Sequence, residues 1–136
     1  MAISRAETQI LWSSASSLSI SSGSTGTSDA FAFAATTFDA MLQIDADNGG
    51  TPASGDTLDV YLLFTTGDIL GDSGNDYDVG NTSLSRWLCQ LDTNVVDPAR
   101  LTVPIPVAAT GFKVYAKNNS AGRSITIRAR IVELQG

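Results

Sequence analysis

The sequence predicts an all-β domain, an antiparallel β-sandwich, on three observations. Apolar and polar side chains alternate along several stretches, as they do when successive side chains point to opposite faces of a half-buried strand. Clusters of Gly, Asn, Asp, Ser and Pro separate those stretches at short intervals. No segment sustains a helical period with capping residues at its ends. The 136 residues suffice for one domain around one core, since a chain of this length buries roughly two-thirds of the surface its unfolded form exposes.

Near the N-terminus, Ile10, Leu11 and Trp12 form an apolar group ahead of Ser13 to Ser28, a run of Ser, Thr, Gly and Ala relieved by Leu18 and Ile20. So little apolar surface does not offset the entropy of ordering the chain. Residues 1–28 are therefore expected as a flexible arm or a thin edge segment, and residues 29–136 as the sandwich. As an arm, the segment would dock Ile10, Leu11 and Trp12 onto another chain. Deleting residues 1–22 would then abolish binding without unfolding the domain.

Phe38, Ala40, Leu42 and Ile44 share one face of the first strong strand, which Asn48-Gly49-Gly50 ends. Leu58, Val60, Leu62 and Phe64 repeat the pattern. The opposite face of this second strand carries Tyr61 and Leu63, too apolar for open solvent, and a partner chain would supply the cover. Leu84, Trp87, Leu88 and Leu91 have the spacing of one short helix, while Trp87, Cys89 and Leu91 equally suit a strand. Three strands then follow closely, Leu101 to Val107, Phe112 to Lys117 and Ser124 to Leu134, as expected of an antiparallel meander. Pro104 and Pro106 each delete a ladder donor, which places Val103 and its neighbours on a sheet edge. In the last strand Ile125, Ile127, Ala129 and Ile131 face inward against Thr126, Arg128 and Arg130. Val132 and Leu134 reverse that phase, as a bulge or an intersubunit contact would.

Charged residues make up only 16% of the chain, and the net charge is −6. Binding to nucleic acid phosphates needs clustered Lys and Arg, so direct nucleic-acid binding is not expected. The charge is split, with the stretch from Asp39 to Asp78 acidic and most basic residues between Arg100 and Arg130, which permits self-association through opposite patches. The lone Cys89 has no intrachain disulfide partner and is expected in the core. The first twenty residues lack the pattern of a standard signal peptide, and no stretch is long and apolar enough to span a membrane as a helix.

The absence of histidine removes the usual general base near neutral pH and the commonest zinc ligand. Gly71-Asp72-Ser73-Gly74 matches the nucleophile stretch of trypsin-type proteases, but that chemistry needs an imidazole to take the serine proton. Glycoside cleavage by paired carboxylates is disfavoured because both glutamates, Glu7 and Glu133, lie near the termini. No Gly-rich phosphate loop with a following Lys is present. Asp68, Asp72, Asp76 and Asp78 crowd one Gly-rich loop, which is either solvated or a calcium site. Their spacing is not that of an EF-hand. The tryptophans and tyrosines at strand positions are core residues or a sugar platform. No enzyme activity and no cofactor are expected.

Val103-Pro104-Ile105-Pro106, Gly111-Phe112-Lys113-Val114-Tyr115-Ala116-Lys117-Asn118-Asn119-Ser120, Ser124-Ile125-Thr126-Ile127 and Asp59-Val60-Tyr61-Leu62 together resemble small virion proteins of tailed bacteriophages, over residues 57–134. The resemblance implies a jelly-roll-like sandwich and a place in the virion as a decoration or cement protein. It also implies a homo-oligomer, a trimer for preference, with the major capsid protein or another virion protein as partner. Ile10, Leu11, Trp12, Tyr61, Leu63, Val103, Pro104, Pro106, Arg128 and Arg130 are the residues expected to meet that partner. The alternative is a receptor- or carbohydrate-binding module that uses the acidic loop from Gly67 to Gly80 and Tyr77.

Overall fold

A computed structural model describes residues 2–136. It contains the strands β1 (Ser4–Gln9), β2 (Leu18–Ile20), β3 (Thr25–Thr27), β4 (Phe31–Ala32), β5 (Thr37–Asn48), β6 (Thr57–Thr65), β7 (Arg86–Asp92), β8 (Ala99–Pro104), β9 (Gly111–Asn118) and β10 (Ile125–Gln135), and no helix among the described residues. One sheet runs β1-β10-β5-β8, with β2 on the free flank of β10 beside the end of β1. The second sheet runs β3-β9-β6-β7, with β4 continuing the β3 flank of β9. All pairings are antiparallel. If β1 with β2, and β3 with β4, count as single broken strands, each sheet has four lanes, and their order is that of a jelly roll.

The alternation of side chains fixes which face each strand buries. Ala40, Leu42, Ile44 and Ala46 of β5 meet Leu58, Val60 and Leu62 of β6 across the sandwich, with Phe112, Val114, Ile125, Ile127 and Ile131 filling the same core. Each large aliphatic side chain so buried contributes about 1.5–3 kcal/mol relative to exposure. Phe112 also packs against Phe31 and Phe33, with ring centroids 5.6 Å away in both cases. Cys89 is core, as expected, and burial pushes its thiol up to about 11.

The last three strands are not a meander: β8 and β10 lie in the first sheet and β9 in the second. The turn residues between them carry the chain across the sandwich instead of folding it back on a neighbour. Trp87, Cys89 and Leu91 belong to strand β7, not to a helix. β8 is an edge strand, as its prolines require, and Ile105 between them donates its N–H to the Ala40 carbonyl. No bulge falls at Val132. Inward alternation continues to Glu133, which is 3% exposed and accepts hydrogen bonds from the Ala34 N–H and the Thr37 hydroxyl. The one irregularity in the β5–β10 ladder falls one step later, where Leu134 faces Asp39 and Gln135 faces Thr37. That shift leaves Phe38 over and turns it out of the core face, so it is 52% exposed.

The N-terminal segment is built into the edges of both sheets. Ile10 and Trp12, expected as a docking anchor, are each only 2% exposed and belong to the core. Leu11 between them points outward. Backbone pairing and polar side chains order the Ser-rich run where apolar burial does not. Trp12 and Ala15 exchange hydrogen bonds of 2.7 and 2.9 Å across a two-residue turn. Ser13 and Ser14 take positive φ values of 48° and 69° there, as a primed hairpin turn requires. Their amides each donate to the Asp29 carboxylate at 3.0 Å. Ser28 adds a hydroxyl that accepts from the Val114 N–H at 2.8 Å.

Candidate binding surface

The outer face of the first sheet is where exposed side chains converge. Strand register places Arg128, Asp45 and Arg100 in one row across β10, β5 and β8, and Gln9, Arg130, Gln43 and Thr102 in the next. A third row holds Glu7, Val132, Met41 and Pro104, and a fourth Arg5, Leu134 and Asp39. The last two rows form an open trough of about 520 Å³, with an apolar floor of Met41, Val132 and Leu134. A shallower hollow of about 270 Å³ continues it past Arg128 and Arg100, and the two share Gln43 and Arg130.

Ion pairs organise this surface. Asp45 receives Arg100 at 2.7 Å and has Arg128 at 3.8 Å. Glu7 lies between Arg5 at 2.9 Å and Arg130 at 3.4 Å. Pairs this exposed add little to folding, about 0–1 kcal/mol each. They do hold long side chains in place, which lowers the entropy lost when a partner immobilises them.

Arg128 and Arg130, singled out from the sequence, are therefore brought together with Pro104 on one face, and half-buried Val103 sits beneath that edge against the core. Pro106 is exposed beyond the strand end. Arg5, Arg100 and Met41 were missed, while Val132 and Leu134 show in the sequence as a phase reversal that a bulge or an intersubunit contact would explain. Their outward phase reads as a reversal because the inward Glu133 is taken for a solvent-facing residue.

Tyr61 and Leu63, expected beneath a partner, are 6% and 3% exposed within this chain. Tyr61 lies edge-on to Trp87 and beside Tyr115. The connection from β6 to β7 supplies cover. Thr65 bridges to Tyr77, Lys113 places its Nζ 4.5 Å from the Tyr77 ring centre, and a Cβ at Gly80 would stand 3.0 Å from the Tyr115 ring.

In the same connection Asp68, Asp72 and Asp76 bring one carboxylate oxygen each within 4.8 Å of one another. Asp78 is not in that group, and its carboxylate accepts the Phe64 N–H at 3.1 Å. The three carboxylates also serve the loop itself. Asp68 accepts the Gly71 and Ser73 amides at 2.7 Å and the Asp72 amide at 3.1 Å, and Asp76 accepts the Leu70 amide at 3.0 Å. Chiefly through the Ser73 amide, these bonds hold the Asp68 carboxyl below its usual range. Ser73 of the protease-like stretch has positive φ and donates its amide to Asp68.

No family model matches the chain, and no curated protein matches its sequence. Among solved structures, the C-terminal CBM6 of the laminarinase LamC from Zobellia galactanivorans is 12% identical with a TM-score of 0.44, over 93% of this chain and 98% of that one. A chain from the acid-stable capsid of the Helicobacter pylori bacteriophage KHP30 is 15% identical with a TM-score of 0.43, over 96% and 93%. The CBM22-1 xylan-binding domain of Paenibacillus barcinonensis Xyn10C is 8% identical with a TM-score of 0.39, over 95% and 85%. These likenesses extend to the β-sandwich fold and no further. No helix among the described residues is long and apolar enough to cross a membrane.

Proposed function

We propose that this chain is a non-enzymatic structural protein of a tailed-phage particle, a decoration or cement type, that binds other protein chains through the outer face of its first sheet. The observation that carries the proposal is the trough itself, with Met41, Val132 and Leu134 on its floor and Arg5 and Arg130 at its rim. Arg and Met are enriched at protein–protein interfaces, and an apolar centre in a rim of arginines, carboxylates and polar side chains follows their usual anatomy. The resemblance of residues 57–134 to virion proteins supports the setting. Many weak contacts of this kind on a symmetric shell would add up through avidity. The test is co-sedimentation of the purified chain with particles lacking it. It should pellet with them, and a chain that stays in the supernatant would refute the proposal.

A second reading, a glycan-binding module, is favoured by Trp87, which is 51% exposed and lies edge-on to Tyr61. An exposed indole is a surface on which a sugar ring packs. A glycan array separates the two, since a cement protein gives no signal there.

A further inference from the structure

We propose that the trough receives the 67–76 loop of a second copy of this chain, so that copies join head to tail. The inference rests on the trough being a protein-docking surface and names its occupant. The loop is built to be inserted. Ile69 and Leu70, adjacent at its tip, are 83% and 73% exposed. Aspartates stand on both sides of them, and no Lys or Arg occurs between Thr65 and Ser85. Asp68 and Asp76 grip the backbone amides of residues 70–73, so the tip is already shaped before it meets anything.

The trough offers the complementary surface. Its floor matches two aliphatic side chains, and it with the adjoining hollow gathers four of the chain's six arginines, Arg5, Arg100, Arg128 and Arg130, against three carboxylates. On a chain of net charge −6 this is a local excess of arginine, and Asp47, farther along the same sheet face, lies outside it. An acidic tip with an aliphatic point thus meets an arginine rim with an aliphatic floor. The contact is intermolecular, because the loop joins β6 to β7 and folds over the outer face of the second sheet, on the far side of the sandwich from the trough. A loop-in-trough contact uses different surfaces on the two copies, so it closes into a ring or extends as a chain. One such contact is small and weak, and it weakens further with salt.

The experiment is native mass spectrometry and sedimentation velocity of the full chain with two blocked variants. Ile69→Asp with Leu70→Asp blocks the loop, and Arg5→Glu with Arg130→Glu blocks the trough. All four positions are exposed, and unchanged melting temperatures establish that the variants fold. The wild-type chain should assemble on concentration and dissociate on dilution or in salt, while each variant alone should remain monomeric. An equal mixture of the two variants should give a dimer and nothing larger, since it holds one intact loop for one intact trough. Wild type that stays monomeric, a loop variant that assembles like wild type, or a mixture without dimer would each overturn the inference. If wild type is monomeric yet the trough variant alone loses co-sedimentation with particles, the second copy is refuted and the docking surface stands. If wild type assembles as described but fails to co-sediment, the particle role falls and the self-association stands.

Discussion

Trp12 shows how much a single side chain carries here. Its indole is 2% exposed at the junction of β1 with the Ser-rich turn, and its Nε1–H has no hydrogen-bond partner. Trp12→Ala should cost about 3–5 kcal/mol, as large-to-small changes in a core do. Trp12→Phe should cost clearly less, because it keeps most of the ring and removes a buried donor left unsatisfied. Urea denaturation of both variants checks the ordering, and equal losses would contradict it. Asp68 acts on its loop in the same way that Asp29 acts on the Ser13-Ser14 turn, by accepting backbone amides. Its carboxyl is held below the usual range, so its support is present above the unfolded-chain value and is lost as pH falls through the depressed folded value. Asp68→Asn should speed hydrogen exchange of the Gly71, Asp72 and Ser73 amides at neutral pH, and unchanged exchange would count against this role. Cys89 is 7% exposed with its thiol pushed up to about 11, so it should resist alkylation at mildly alkaline pH until denaturant opens the core. Apart from the Asp68 bonds, which reach only three to five residues along the chain, these partnerships are not written in the local sequence. Ile10-Leu11-Trp12 looks the same whether it docks on a neighbour or on its own core.

At the scale of elements, the strands that alternate strongly were legible, and the polar ones were not. β5 and β10 announce themselves because one face of each is buried, and β6 and β9 because one face is apolar while the other is partly covered as well. β1 to β4 carry few apolar residues, and their order comes from pairing with β10 and β9 and from hydroxyl groups whose partners lie about a hundred residues away. Spacing along the chain predicts that β8, β9 and β10 exist but not which sheet each joins, since a short turn serves equally to fold back or to cross over. The structure therefore changes the expected result of truncation. Removing residues 1–22 strips β1 and β2 from β10 and takes out Ile10, Trp12 and Ile20 together. Losses of about 2–5 kcal/mol at each core position approach the whole stability of a typical domain, about 5–15 kcal/mol. The truncated chain should lose its cooperative thermal transition by circular dichroism. A transition near that of the intact chain would mean that the segment is dispensable after all.

For the whole molecule, the jelly roll makes the two outer sheet faces unlike. The second sheet is covered by the chain's own β6–β7 connection, so Tyr61 and Leu63 need no partner. The first sheet is left open, with Val132, Leu134 and Met41 in a trough among arginines. The split of charge along the sequence becomes in three dimensions a cluster of four arginines around the trough and its adjoining hollow on one face and an acidic loop from the other. The candidate surface was half legible, through Arg128, Arg130 and Pro104, because outward positions of one strand can be counted. Its other half depends on β1 and β5 lying beside β10, which only the topology decides. The claim that this face binds protein is tested most directly by co-sedimentation of the wild-type chain and the Arg5→Glu, Arg130→Glu variant with particles lacking the protein, at matched melting temperatures. Wild type should pellet and the variant should stay in the supernatant; equal pelleting of the two would contradict the account.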